Sequence, residues 1–117
     1  MEYNDHKPIY LQIADRMLQN ILSGEWREEG RIPSVREMGG IMGVNPNTVV
    51  RSYQQLEALD IIYNKRGMGY YVQSEAVAKI KKNLKEEFVR NDIPKLRETL
   101  KALEIDVDEL CRLLEGN

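Results

Sequence analysis

The residues of this 117-residue chain best equipped for chemistry are cations and amides rather than nucleophiles or metal ligands. Asn47, Thr48 and Arg51 fall within one stretch, Val44 to Leu56, and Lys65, Arg66 and Gly67 follow in a second. A guanidinium presented on a helix face can bond both O6 and N7 of guanine, or grip a phosphate; spacing leaves both options open for Arg51. Asn47 and Thr48 fall at a helix N-terminus, where exposed N–H groups and the helix dipole favour a phosphate. Lys65 and Arg66 precede Gly67-Met68-Gly69, whose glycines permit a tight turn, so both cations can reach phosphate or an adjacent minor groove. This is the chemistry of nucleic-acid recognition and contains no covalent step.

Those residues need a helix and a hairpin to hold them. Asn45 is a good N-cap and Pro46 suits the first helical position, which marks a helix start. At 3.6 residues per turn Val49, Tyr53 and Leu56 form an apolar stripe, with Asn47, Val50, Arg51 and Gln54 opposite. Alone, such a helix could equally be an amphipathic surface helix with a solvated polar face. Its neighbours decide otherwise. Upstream, Ser34-Val35-Arg36-Glu37 has the capping-box form and starts a helix that ends near Gly43, so only Gly43-Val44-Asn45 links the two. Downstream, the β-prone runs Ile61-Ile62-Tyr63-Asn64 and Tyr70-Tyr71-Val72-Gln73 flank Lys65-Arg66-Gly67-Met68-Gly69, giving a hairpin with a basic tip. Helix, helix and basic hairpin is the order of a winged helix-turn-helix, so the expected class is mainly α with a small β-hairpin wing.

Residues 8 to 73 resemble the DNA-binding domain of the GntR family of bacterial transcription regulators. The resemblance rests on Pro8-Ile9-Tyr10-Leu11-Gln12-Ile13, Arg31-Ile32-Pro33-Ser34-Val35-Arg36-Glu37-Met38, Gly43-Val44-Asn45-Pro46-Asn47-Thr48-Val49, Arg51-Ser52-Tyr53-Gln54-Gln55-Leu56 and Arg66-Gly67-Met68-Gly69-Tyr70-Tyr71-Val72. The Asn-Pro-Asn-Thr-Val form and the short C-terminal extension are similar to the YtrA-type subfamily, whose members carry two or three short helices there. The resemblance gives Arg36 a DNA-contacting role and implies that Tyr10 and its neighbours begin the first helix. It also implies an unidentified signal or small-molecule effector. One departure stands out: where relatives carry a small Ala and then a polar residue, this chain has Gly39-Gly40, each costing about 1 kcal/mol of helix propensity against alanine. Close approach to the next helix accounts for Gly39, not for Gly40, and Ile41 is expected to be exposed.

Seventeen basic against nineteen acidic residues give a net charge of −2, mild evidence against nucleic acid taken by itself. Distribution says more. Between Arg31 and Ser74 the basic residues Arg31, Arg36, Arg51, Lys65 and Arg66 outnumber the acidic Glu37, Glu57 and Asp60. The lone Cys111 excludes an intramolecular disulfide and a cysteine-based zinc cluster, and is expected in the core. His6, the only histidine, lies in an N-terminal segment, residues 1–7, expected to be loose. No apolar run approaches the ~20 residues that span a bilayer, and the N-terminus lacks a secretory pattern, so a cytoplasmic protein away from membranes is expected. With no Ser-His-Asp set, metal cluster or phosphate-cradling glycine loop before a helix, neither an enzyme nor a cofactor is expected.

Tyr10, Ile13, Ala14, Met17, Leu18, Ile21 and Leu22 recur at helical spacing and make a scaffold helix stopped at Gly24, with Trp26 packed under the following loop. Residues 8–74 therefore form the winged-helix domain and 75–117 a helical extension. In the extension Val77, Ile80, Leu84 and Phe88 form a stripe, Asp92 and Pro94 start a second helix with Ile93, Leu96, Leu100 and Leu103, and Asp106 with Glu109 starts a third. These short apolar faces need a partner, and a homodimer through the C-terminal helices is the economical one. The expected function is a sequence-specific, double-stranded-DNA-binding transcription regulator, a dimeric repressor on a two-fold symmetric operator. The alternative is a winged-helix protein-interaction module without specific DNA binding.

Overall fold

The computed structural model describes residues 7–116; His6 and most of the tail expected to be loose lie outside the described residues. Two compact units divide the chain after Ile80.

The first unit opens with helix α1 (Ile9–Leu22), which buries Ile13, Ala14, Met17 and Ile21 along one stripe, and Gly24 follows its end with φ +85°. Lys7, just before it, pairs with Asp15 and offers its carbonyl to the Gln12 amide at 2.7 Å. Helix α2 (Val35–Met42) is capped as its sequence predicts: Ser34 Oγ accepts the Glu37 N–H at 3.1 Å, and the Glu37 carboxylate accepts the Ser34 N–H at 2.9 Å. Gly43 ends it in the left-handed conformation, and after Val44 and Asn45 the chain enters helix α3 (Pro46–Ala58). Gly39 makes this tight turn possible, because a Cβ there would stand 2.9 Å from the Val44 carbonyl oxygen. A Cβ on Gly40 would meet nothing within 4 Å, and nothing in the structure explains that glycine. Ile41 is 67% exposed, as expected.

Strands β1 (Ile62–Lys65) and β2 (Gly69–Val72) pair antiparallel with Lys65 opposite Gly69, shifted by a residue from the expected runs. The segment before α2 lies along the free edge of β2. Glu29 donates to the Val72 carbonyl, Val72 to Gly30 and Ile32 to Tyr70, so the hairpin has a short third edge that hydrophobic patterning did not signal.

The core gathers Ile13, Met17 and Ile21 of α1, Met38 of α2, Val49, Tyr53 and Leu56 of α3, and Ile32, Ile61, Ile62 and Val72 around the sheet. Ala76 and Ile80 of helix α4 (Ala76–Glu87) complete it. Trp26 is half-buried against this core and lines a groove of about 180 Å³ with Ile13, Met17, Pro33, Met38 and Met42. Glu28 performs a service its sequence position hides: its carboxylate accepts the Glu75 and Val77 N–H groups at 2.9 and 3.0 Å, capping α4 from a distant loop.

In the second unit the helix does not break at Asp92 as the sequence suggested. A π-helical turn, Phe88–Asp92, joins α4 directly to helix α5 (Ile93–Ala102), and Asp92 is itself helical with no side-chain cap bond. Pro94 has no N–H for the carbonyl four residues back and its ring crowds that carbonyl; the wider turn, in which Ile93 donates to Phe88, accommodates it without an end. Helix α6 (Val107–Leu114) does start where expected, with Asp106 accepting the Glu109 N–H at 2.8 Å. Cys111 is exposed, contrary to the core position expected for it, because α6 buries no residue against the described chain. No described helix is long and apolar enough to cross a membrane.

Candidate nucleic-acid interface

Helix α3 is held by the three buried side chains of its apolar stripe and by two polar anchors. Val49, Tyr53 and Leu56 are fully buried. The Tyr53 hydroxyl donates to the Pro33 carbonyl at 2.6 Å, tying α3 to the loop before α2. Burial raises the Tyr53 phenol well above its ordinary range, so it remains a donor across physiological pH. Its ring meets Tyr70 of the wing edge-on, centroids 4.9 Å apart at 88°. Ser52, the buried polar residue among the described residues, donates to the Tyr10 carbonyl at 2.6 Å and fixes α3 against the start of α1. No local pattern signals this bond, since Ser52 sits beside the apolar stripe rather than at a helix end.

With the inner face so fixed, Asn47, Arg51 and Gln54 are exposed on the outer one. Val50, expected among them, is half-buried and flanks that face instead. Arg51 is not a loose charge: its guanidinium carbon stands 4.1 Å from the centre of the Tyr10 ring. Cation–π stacking of this kind orients the guanidinium plane while leaving its N–H edge for an acceptor. Tyr10 thereby positions Arg51, a role absent from its reading as a scaffold residue.

The helix N-terminus differs in detail from expectation. The Asn47 N–H bonds Asn45 Oδ1 at 2.8 Å and the Thr48 N–H bonds the Asn45 carbonyl at 2.9 Å. These backbone donors are therefore occupied by the cap, and what the two residues can offer a phosphate is their side chains, exposed at Asn47 and half-buried at Thr48. Arg36 is exposed on the first turn of α2, and its side chain makes no hydrogen bond or ion pair among the described residues.

At the wing, Lys65, Arg66 and Gly67 are all exposed, and Gly67 takes φ +76° in the turn that Met68 closes by donating to the Lys65 carbonyl at 2.8 Å. Lys65 leans over the Tyr71 ring, 5.3 Å from its centre, and Tyr71 stacks on Tyr63 with centroids 5.8 Å apart. Arg66 extends free of ion pairs among the described residues. Met68, which sequence reasoning passed over, is 53% exposed at the tip. The described residues hold no cluster of three His, Cys, Asp or Glu able to bind a metal.

A helix-turn-helix whose second helix shows an arginine and amides to solvent, beside a hairpin tipped with two cations, defines a winged-helix DNA-binding regulator of transcription. Residues 9–72 match the family described as bacterial regulatory proteins, gntR family, and the chain belongs to it. It is 35% identical to the uncharacterized HTH-type transcriptional regulator YhcF of Bacillus subtilis over 98% of this chain and 91% of that one. It is 38% identical to the HTH-type transcriptional repressor YtrA of Bacillus subtilis over 85% of this chain and 70% of that one. Among solved structures, a putative GntR-family transcriptional regulator from Bacteroides thetaiotaomicron superposes with a TM-score of 0.83 at 44% identity, covering 92% of this chain and 94% of that one.

Proposed function

We propose that this regulator is a cytoplasmic repressor that binds a two-fold symmetric operator as a homodimer, acting by occupying DNA and not by catalysis. The observation that carries the reading is Arg51, presented on the exposed face of α3 and braced by Tyr10 beside a cationic wing. In it, Arg36 and Arg51 set sequence choice with Asn47 and Thr48, while Lys65 and Arg66 anchor the wing to the backbone and Gly67 lets the turn approach it. Residues 8–74 supply DNA contact and 75–117 dimerisation, with Ala76 and Ile80 also serving the core of the first unit. Repression is supported by the named repressor among the relatives. Dimerisation is supported by the apolar side chains that α5 and α6 leave exposed, among them Leu103, Val107 and Leu114.

The test is fluorescence anisotropy with the DNA upstream of the chain's own gene against scrambled DNA of equal length, across a salt series. Tighter, steeply salt-dependent binding to the upstream DNA is expected. Absence of binding to either DNA at low salt would overturn the reading in favour of a protein-interaction module.

A further inference from the structure

We propose that Arg31 is an additional phosphate-binding arm of the DNA interface, seated on the wing by Gly69; this rests on the DNA-binding reading above. Side chains alternate across a strand, so the sheet has an inward face of Ile32, Val72 and Ile62 and an outward one. Arg31 bridges Tyr71, which pairs with Tyr63, so those three residues share the outward face with Lys65. Gly69 is the vacancy that seats the arginine. A Cβ there would stand 3.2 Å from Arg31 Nε, 3.6 Å from Nη2 and 3.8 Å from the guanidinium carbon. The guanidinium thus turns its Nε–Nη2 edge to the bare strand at the first residue after the hairpin turn and leaves its outer edge to solvent.

Arg31 is exposed, and the described residues include no ion pair to it. Its nearest acidic influence is Glu37, whose carboxylate is engaged with the Ser34 N–H. Arg31 therefore places a cation with Glu37 in Coulombic reach but no direct ion pair among the described residues at the seam between the first turn of α2 and the wing, the two elements that carry Arg36 and Lys65. A planar fork already ordered against a surface loses less entropy on gripping a phosphate than a free side chain does, and matches the phosphate oxygens two at a time. Arg31 and Lys65, on either side of Tyr71, then hold backbone phosphate beside the groove that the hairpin tip enters.

The experiment compares wild type, Arg31→Gln, Arg31→Lys, Lys65→Gln/Arg66→Gln and Arg51→Ala in the full chain, on the upstream DNA and on a random-sequence duplex, over a salt series. Circular dichroism confirms folding of each. One phosphate contact contributes about 0.9 to the slope of log affinity against log salt. Arg31→Gln is expected to lower the slope by about that amount on both DNAs, leaving their affinity ratio unchanged, and Arg31→Lys to restore it. A slope equal to wild type for Arg31→Gln overturns the proposal; weaker binding at that unchanged slope makes Arg31 a mechanical brace of the wing. If the Lys65/Arg66 and Arg51 variants are equally silent, the DNA-binding reading has failed and the proposal with it.

Discussion

A long flexible arginine pays rotamer entropy when it docks on a base edge, and a ring beneath it removes part of that cost beforehand. Arg51 stacks on Tyr10, and Ser52 holds the Tyr10 backbone from the same helix, so the contact is clamped from both sides. If Arg51 contacts a base, Arg51→Ala is expected to weaken operator binding by about 1 to 3 kcal/mol and to relax discrimination at that base pair. Tyr10→Ala should reproduce part of that loss and Tyr10→Phe, which keeps a stacking face, should not; competition binding against single-base operator variants measures both. Equal discrimination by Tyr10→Ala and wild type would free Arg51 from its brace. Arg51 was visible in the sequence from the cap Asn45 and the periodicity of Val49, Tyr53 and Leu56. Tyr10 was not, because a contact across 41 positions has no signature in local spacing.

At the scale of elements, what caps itself locally was legible and what is capped from afar was not. Ser34 and Glu37 announce α2 within four residues, whereas Glu28 caps α4 across 47 positions, where no local pattern can signal it. Pro94 misled for a related reason: proline ends an α-helix only if the helix keeps its α register, and the turn from Phe88 changes register just before it. The box has a pH consequence. The Glu37 carboxyl titrates below its ordinary 4.5, chiefly because it accepts the Ser34 backbone bond. A depressed folded value means that its contribution is fully present above the unfolded value and is lost as pH falls through the folded one. Stability should accordingly be insensitive to this group at neutral pH and fall below about pH 4.5. Glu37→Gln, which cannot ionise, should flatten that acid limb in urea melts at stepped pH; parallel limbs would show that the box titrates without stabilising. The distant cap makes its own prediction. Glu28→Ala leaves the Glu75 and Val77 N–H groups at the start of α4 to water, at a cost of about 1 kcal/mol, read as a lower melting midpoint in thermal denaturation.

Over the whole molecule, the two units differ in how they satisfy their apolar residues. Among the described residues the first buries fourteen hydrophobic side chains down to Ile80, while α5 and α6 bury none. Sequence periodicity identified the apolar stripes of α5 and α6 but credited Cys111 with a core position, since periodicity marks which face wants burial and not which chain supplies it. Exposed Leu96, Leu103, Val107 and Leu114 are more than a single short chain leaves in water without a use. In the proposed homodimer these faces would cover each other and two α3 helices would reach two half-sites, making the second contact intramolecular and multiplying affinity. Leu96→Glu with Leu103→Glu places charge on the α5 stripe outside the core of the first unit, so folding of the DNA-binding unit is preserved. Sedimentation equilibrium should then report a monomer, and operator affinity should fall by at least ten-fold while affinity for a single half-site stays near wild type. A double variant that still sediments as a dimer would move the interface off α5 and onto another surface of the chain.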